Sequence, residues 1–297
     1  MVLSQRLRTP HLAATVKLAA AATFTLAAAV FTSGTFAQAS SLLNGAQSWA
    51  YQLQGDAGGI ARSGADVAVV DADHMRGSVS KLKSKPGGGR RIVIAYLAIG
   101  EAETYRSYYK SCCANGKPDW VTAKTQGWAG NYIVHFWRPE WKAIVRERVK
   151  QIMAAGFDGI YIDRVDTWEN VKAPGSSRGA MIQLVKEVST WTRGHNGNAA
   201  IMVQNGEELL NDGSYLAAID AIAKEDLIHG IDHKGSRNSS GDIVHSTKLL
   251  RSAQAAGKKI FVIEYLKGSS AESVRSEIRK LGFVPFFGPR DLKSLGG

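Results

Sequence analysis

The stretch Gly156-Phe157-Asp158-Gly159-Ile160-Tyr161-Ile162-Asp163-Arg164-Val165-Asp166 carries the reading of the fold. Gly156 stops the amphipathic run before it, in which Pro139 opens the first turn and Trp141, Ile144, Val145, Val149, Ile152 and Met153 keep one face apolar. From Gly159 the chain is apolar without alternation until it closes on Asp163, the pattern of a strand buried on both faces in a parallel sheet. Helix, buried strand and terminal carboxylate make one unit of an α/β fold.

The unit repeats outward in both directions. Short apolar runs at 49–53, 67–71, 91–97, 159–163, 200–204, 219–223, 259–265 and 283–287 alternate with longer helical segments. Met181, Leu184, Val185, Val188 and Trp191 mark one helix, with Gly194 as its stop; 242–256 and 271–281 repeat the pattern and end at Gly257 and Gly282. Residues 79–91 read as a short helix plus a glycine turn, and 120–139 is the longest connection without a clear period. Eight buried strands, mostly separated by helices, predict an α/β fold of the (β/α)8 TIM-barrel type. A doubly wound open sheet is disfavoured, because no glycine-rich phosphate loop follows the first strand.

The N-terminus reads differently. Residues 1–17 are basic, 18–31 are apolar, and Ala37-Gln38-Ala39 is a small-residue cleavage signal, which together predict a secretory signal over 1–39. The apolar run falls short of the roughly 20 residues a spanning helix needs. A single domain is expected over 40–297, secreted or periplasmic, free of the membrane after cleavage and monomeric.

Composition narrows the function. With 297 residues, 44% hydrophobic and 21% charged, the chain is globular rather than disordered or disulfide-dense. The formal charge is +11; the first 39 residues hold Arg6, Arg8 and Lys17 and no acid, which leaves 34 basic against 26 acidic side chains beyond them. Apart from 81–91 the basic residues are dispersed and no nucleic-acid motif occurs, so no nucleic-acid partner is expected. Cys112 and Cys113 are adjacent, a spacing that rarely satisfies disulfide geometry. His229 and His233 flank Gly230 in a loop-like stretch, with no H-E-x-x-H or C-x-x-C; no metal and no cofactor are expected.

Acids gather where the strands end. Asp71 and Asp73 follow the second run, Glu101 and Glu103 the third, Asp163 and Asp166 the fourth, Glu207 and Glu208 the fifth, Glu225 and Asp226 the sixth, and Glu264 closes the seventh beside Tyr265. Helix-dipole capping accounts for several of these. It does not account for Asp163, which closes an apolar strand at the barrel rim, where barrel enzymes carry their function. Aromatic residues at the same edge (Tyr51, Tyr96, Trp137, Tyr161 and Tyr265) suit a sugar site, and cleaving a glycoside takes two carboxyl groups flanking the bond. No G-x-S-x-G elbow is present.

Several strings resemble one family in order: 95–103, Gly130-Asn131-Tyr132 through Phe136-Trp137-Arg138-Pro139-Glu140-Trp141, the 156–166 stretch, 204–209, 224–227, 263–266 and 282–285. The chain is similar to glycoside hydrolase family 114, the endo-α-1,4-polygalactosaminidases. The resemblance implies an endo-acting, retaining hydrolase of α-1,4-linked galactosamine polymers, with Asp163 as nucleophile and Glu225 as acid/base. Asp73, Tyr96, Glu101, Arg164, Asn205 and Tyr265 are expected to line one cleft around that pair. Asp163 should be held ionised by hydrogen bonds or a cation, while neighbours raise the pKa of Glu225. Two alternatives stand beside this reading: a non-catalytic carbohydrate-binding barrel, and a hydrolase of a different hexosamine or anionic polysaccharide, which the basic surface would favour.

Overall fold

The computed structural model of the protein describes residues 42–75, 78–113 and 116–295; the expected secretory segment lies outside the described residues. Eleven strands are present among them: β1 Trp49–Gln52, β2 Val67–Asp71, β3 Ile92–Ala98, β4 Glu101–Glu103, β5 Val121–Lys124, β6 Asn131–Val134, β7 Gly159–Asp163, β8 Ala200–Gln204, β9 Ala221–Glu225, β10 Lys259–Glu264 and β11 Val284–Phe287. Eight form one sheet in the order β1-β2-β3-β7-β8-β9-β10-β11, with every ladder parallel. Closure comes from side chains: Trp49 of β1 donates from Nε1 to the Val284 carbonyl of β11 at 3.1 Å and packs against Phe261 and Phe286. The expected (β/α)8 barrel is the observed architecture.

Strand alternation divides the apolar residues into two layers. Val67 and Val69, Ile94 and Tyr96, Tyr161, Met202, Ala221 and Ala223, and Phe261 and Ile263 fill the barrel, which Leu43 and Leu292 also enter. Their strand neighbours Ala68, Val70, Val93, Ala95, Ile160, Ile162, Val203 and Val262 face outward and meet the helices. Both faces are apolar, so the strands show no alternation in sequence. Gly159 is inward-facing where β7 meets β8, and a Cβ there would collide with the Ala200 backbone.

The helices bury the stripes that define them. Pro139–Ala154 hides Trp141, Val145, Val149 and Ile152, and Ser177–His195 hides Met181, Leu184, Val185 and Val188. The second helix passes through Gly194, the expected stop, and is capped by Asn196; a glycine in the last turn costs only about 1 kcal/mol, less than packing supplies. Strand β9 lies two residues later than the apolar run at 219–223, because its last residues, Lys224 and Glu225, are polar. The aperiodic connection holds β5 and β6, which join β4 in a small antiparallel sheet in the order β4-β6-β5. Its buried residues include Glu101, Glu103 and Asn131, so no apolar alternation announces it.

At the opposite end of the barrel Arg91 is fully buried. Its guanidinium donates to the carbonyls of Ala65 (3.1 Å), Leu82 (2.6 Å), Ser63 and Ser84, tying together the segments that lead into β2 and β3. Arg91→Met would leave those carbonyls buried without their donor. Chemical denaturation is expected to show a loss of about 2–4 kcal/mol; an unchanged midpoint would show that water replaces the guanidinium.

Candidate active site

The alternation that fills the barrel also decides which strand-end side chains reach its mouth. Counting by twos from the interior residues, Tyr51, Asp71, Tyr96, Asp163, Gln204, Glu225 and Tyr265 point inward at the C-terminal ends of their strands. They line a cleft of about 510 Å³. Of the residues expected around the pair, Tyr96, Glu101, Arg164, Asn205 and Tyr265 line it together with Asp163 and Glu225. Hollows of about 700 Å³ beside helix Ser269–Lys280 and about 640 Å³ along helix Ser240–Ala255 lie elsewhere, and no strand-end acid lines them.

Asp73 is not brought to the cleft. The chain turns into a short helix, Ala72–Met75, directly after β2, and Asp71 accepts the Asp73 and His74 amides at its start. The Asp73 carboxylate instead meets Arg106 at 3.0 Å and Arg148 at 2.9 Å. Burial pushes its pKa up, but the two guanidinium groups more than reverse this and hold it below the usual carboxylate value. Asp71, two residues earlier on the inward register, takes the place in the cleft.

Each member of the expected catalytic pair is clamped. Asp163 accepts the Tyr96 hydroxyl on Oδ2 and the Arg164 amide on Oδ1, both at 2.7 Å. Glu225 accepts the Tyr265 hydroxyl on Oε1 and the Gln204 amide on Oε2 at 3.2 Å, while its own amide donates to Asn205 Oδ1 at 2.9 Å. Gln204 was not singled out from the sequence as a site residue, yet it links the elements of the site. Its Oε1 accepts Tyr51 (3.2 Å) and Tyr161 (2.6 Å), which turns its amino group toward Glu225. The available signal was its place, closing β8 as Asp163 closes β7.

Directly after these strands, Arg164 (φ 63°), Asn205 (φ 56°) and Asp226 (φ 54°) all adopt the left-handed conformation. Such a residue without glycine costs on the order of 1–3 kcal/mol and persists only where its surroundings hold it. Arg164 is held by an ion pair from Nε to Glu101 at 2.5 Å, Asn205 by the Glu225 amide, and Asp226 by Arg290 at 2.8 and 3.0 Å. Arg290 also stacks over the Tyr265 ring at 4.0 Å.

The electrostatics depart from expectation at Asp163. Burial is the largest effect and raises its pKa to about 7, helped by the charges of Asp166 and Glu225; the Tyr96 hydrogen bond and Arg164 pull the other way without winning. Two further strand-end acids are held by structural contacts. Glu207 binds Ser246 at 2.7 Å and Lys224 at 3.4 Å. Glu264 lies on the outward register and accepts the amides of Ile228 (2.7 Å) and His229 (3.2 Å). Burial raises its pKa to about 8. Among the described residues no group of three or more His, Cys, Asp or Glu is arranged to hold a metal, and no helix is long and apolar enough to cross a membrane.

A closed parallel barrel whose mouth holds two carboxylates within reach of each other's charge, amid tyrosines and amides, is a setting for glycoside hydrolysis. The sequence profile of Glycoside-hydrolase family GH114 matches residues 32–296, and the chain belongs to that family of enzymes acting on O-glycosidic bonds. An uncharacterized protein of Deinococcus radiodurans is 30% identical over 262 residues, 85% of this chain and 83% of its own length. One of Methanocaldococcus jannaschii is 32% identical over 269 residues, 82% and 75% of the two chains. Among solved structures, the glycoside hydrolase domain of PelA from Pseudomonas aeruginosa superposes with a TM-score of 0.70 at 20% identity, covering 85% of this chain and 98% of that one. Aspergillus fumigatus Ega3, solved in complex with galactosamine, gives 0.66 at 16% identity over 84% and 93%. At these identities the two structures establish the shared fold.

Asp163 and Glu264 both hold protons in the folded state that the unfolded chain would release near its ordinary carboxylate pKa of about 4. The stability this contributes is complete below that range and is lost as pH rises through about 7 and about 8. Thermal unfolding midpoints are therefore expected to fall between about pH 5 and pH 9, and Asp163→Asn should flatten the curve. A midpoint that climbs over this interval would contradict the burial of these carboxyls.

Proposed function

We propose that the protein is a secreted, endo-acting, retaining glycosidase that cleaves an α-1,4-linked galactosamine-type polysaccharide, with Asp163 as nucleophile and Glu225 as acid/base. The observation that carries the substrate class is the charge of the cleft. Asp71, Glu101, Glu103, Asp163, Glu225 and Asp291 line it against only Arg106 and Arg164, in a chain whose overall balance is basic. A concave acidic site concentrates field lines and attracts a polycation that the rest of the surface repels. An anionic polysaccharide would meet the reverse. The galactosamine bound to Ega3, a protein of the same fold, agrees with an amino sugar, and the basic, apolar N-terminal segment agrees with export.

In this reading Glu225 gives its proton to the leaving oxygen while Asp163 attacks the anomeric carbon. The bond to Asp163 forms as the glycosidic bond breaks. Glu225 then takes a proton from the water that displaces Asp163. Tyr265, Gln204 and Asn205 hold Glu225 in one orientation through both steps. Asp163 attacks only as the anion. Its raised pKa therefore places the acidic limb of kcat/KM near pH 7, with activity rising as the carboxyl ionises. Tyr96→Phe removes a hydrogen bond that favours the anion, so this limb should move to higher pH; a limb that stays in place would remove Asp163 from the step it reports.

The reaction itself is tested on a de-N-acetylated α-1,4-galactosamine polymer, with the N-acetylated polymer and a polyuronate alongside. Proton NMR of the first-formed product should show the α-anomer, and Asp163→Asn and Glu225→Gln should each lower kcat by about 10²–10⁴-fold. A β-anomer would overturn retention, and cleavage of the polyuronate alone would overturn the substrate class.

A further inference from the structure

The exposed large hydrophobic side chains among the described residues are Tyr105, Trp128, Ile231 and Val244, and two of the four line the cleft. Trp128 is 51% exposed and Tyr105 is 59% exposed. Neither belongs to the hydrogen-bond web around Asp163 and Glu225. Both are carried by the small antiparallel sheet, on the β3 side of the mouth, whereas Glu225 and Tyr265 sit on β9 and after β10.

The two aromatics are presented by a built support. Between β5 and β6 the chain reverses through Gly127 (φ 81°) and Gly130 (φ 89°), with the Thr125 amide bound to the Asn131 carbonyl at 2.9 Å. That reversal puts Trp128 at the tip of the hairpin. The Thr104 amide binds the Gly130 carbonyl at 2.9 Å, which brings the segment after β4 alongside; a Cβ on Gly130 would strike Thr104 Oγ1 and reach the Tyr105 ring. Tyr105 is fixed at both ends. Its hydroxyl donates to Glu103, and one ring face lies against the guanidinium of Arg106 at 5.0 Å. Arg106 is itself buried and bound to Asp71, Asp73 and Glu103. The hairpin is tied to the catalytic end through Glu101, which accepts Thr125 (2.8 Å) and Asn131 (3.0 Å) while pairing with Arg164.

Two anchored, solvent-facing rings at the end of a polar cleft are unusual, since exposed apolar surface costs free energy unless something covers it. The occupant has to be continuous with what lies over Asp163 and Glu225, because the same cleft holds both. We infer that Trp128, with Tyr105 beside it, forms a subsite on the β3 side of the cleft that stacks a pyranose ring of the polysaccharide other than the one held between Asp163 and Glu225. This rests on the glycosidase reading above and deepens it. The apolar C–H face of a sugar ring covers the indole, while its hydroxyl or ammonium groups stay at the polar rim. A subsite so placed rewards a chain long enough to span the mouth, which selects interior bonds of a polymer over short oligomers.

The test compares the full chain with Trp128→Ala, Trp128→Phe and Tyr105→Ala, using the galactosamine polymer and the corresponding trimer as substrates. Trp128→Ala should lose about tenfold more kcat/KM on the polymer than on the trimer, chiefly through KM, and Trp128→Phe should recover most of that difference. Equal losses on both substrates would mean a structural role and overturn the subsite, as would no loss on either. Binding is read separately on Glu225→Gln, with and without Trp128→Ala, by titrating the polymer. If the wild type cleaves none of the polymers, the glycosidase reading fails on its own. The subsite is then judged by binding: about tenfold weaker affinity without Trp128 supports it, and unchanged or absent polymer binding overturns it.

Discussion

A side chain on a closed parallel barrel has two destinations, the interior or the surrounding helices, and neighbours on a strand cannot share one. Much of this site follows from that constraint. Asp163, Gln204 and Glu225 end three adjacent strands on the inward register, so they converge without any loop having to aim them. Glu264 ends the next strand on the outward register and is spent on two backbone amides instead. One residue of difference separates a cleft-lining carboxylate from a structural one.

Convergence alone would leave the chain free to continue straight out of the barrel. The left-handed residues after β7, β8 and β9 turn it away at once, and each is held by a polar contact that belongs to the site. The Glu101–Arg164 pair, the Asn205–Glu225 bond and the Arg290–Asp226 pair therefore act twice, on backbone geometry and on the field in the cleft. Residues held in this conformation cluster where structure is given over to function. Burial of Asp163 belongs to the same trade, since a desolvated carboxyl costs stability when ionised.

The charge distribution runs against the global balance. Counted over the chain, basic residues lead 37 to 26, yet in the cleft carboxylates outnumber arginines. Buried Arg106 and Arg148 neutralise Asp71, Asp73 and Glu103 locally and brace the segment that bears Tyr105, so part of the basic excess serves to assemble an acidic mouth.

The barrel was legible in the sequence because burial on both strand faces leaves continuous apolar runs, and because helices that pack on one side keep a 3.6-residue stripe; β2, β7 and β8 begin and end where those runs do. Asp163 was legible for the same reason, as the acid that interrupts such a run. What tertiary structure alone decided is everything that depends on neighbours distant in the chain. The end of β9 was displaced because Lys224 and Glu225 find partners from other parts of the chain, and the β4-β6-β5 sheet was hidden because Glu101, Glu103 and Asn131, polar residues satisfied by Arg164, Arg106 and each other, share its buried positions with Ala102, Val121 and Val134. Asp73 and Asp71 are alike in sequence, but Asp71 ends β2 on the inward register, whereas the helix that starts at Ala72 turns Asp73 toward Arg106 and Arg148. The pKa of Asp163 likewise reflects its enclosure by the barrel mouth, a property of the assembled walls that no local stretch of residues encodes.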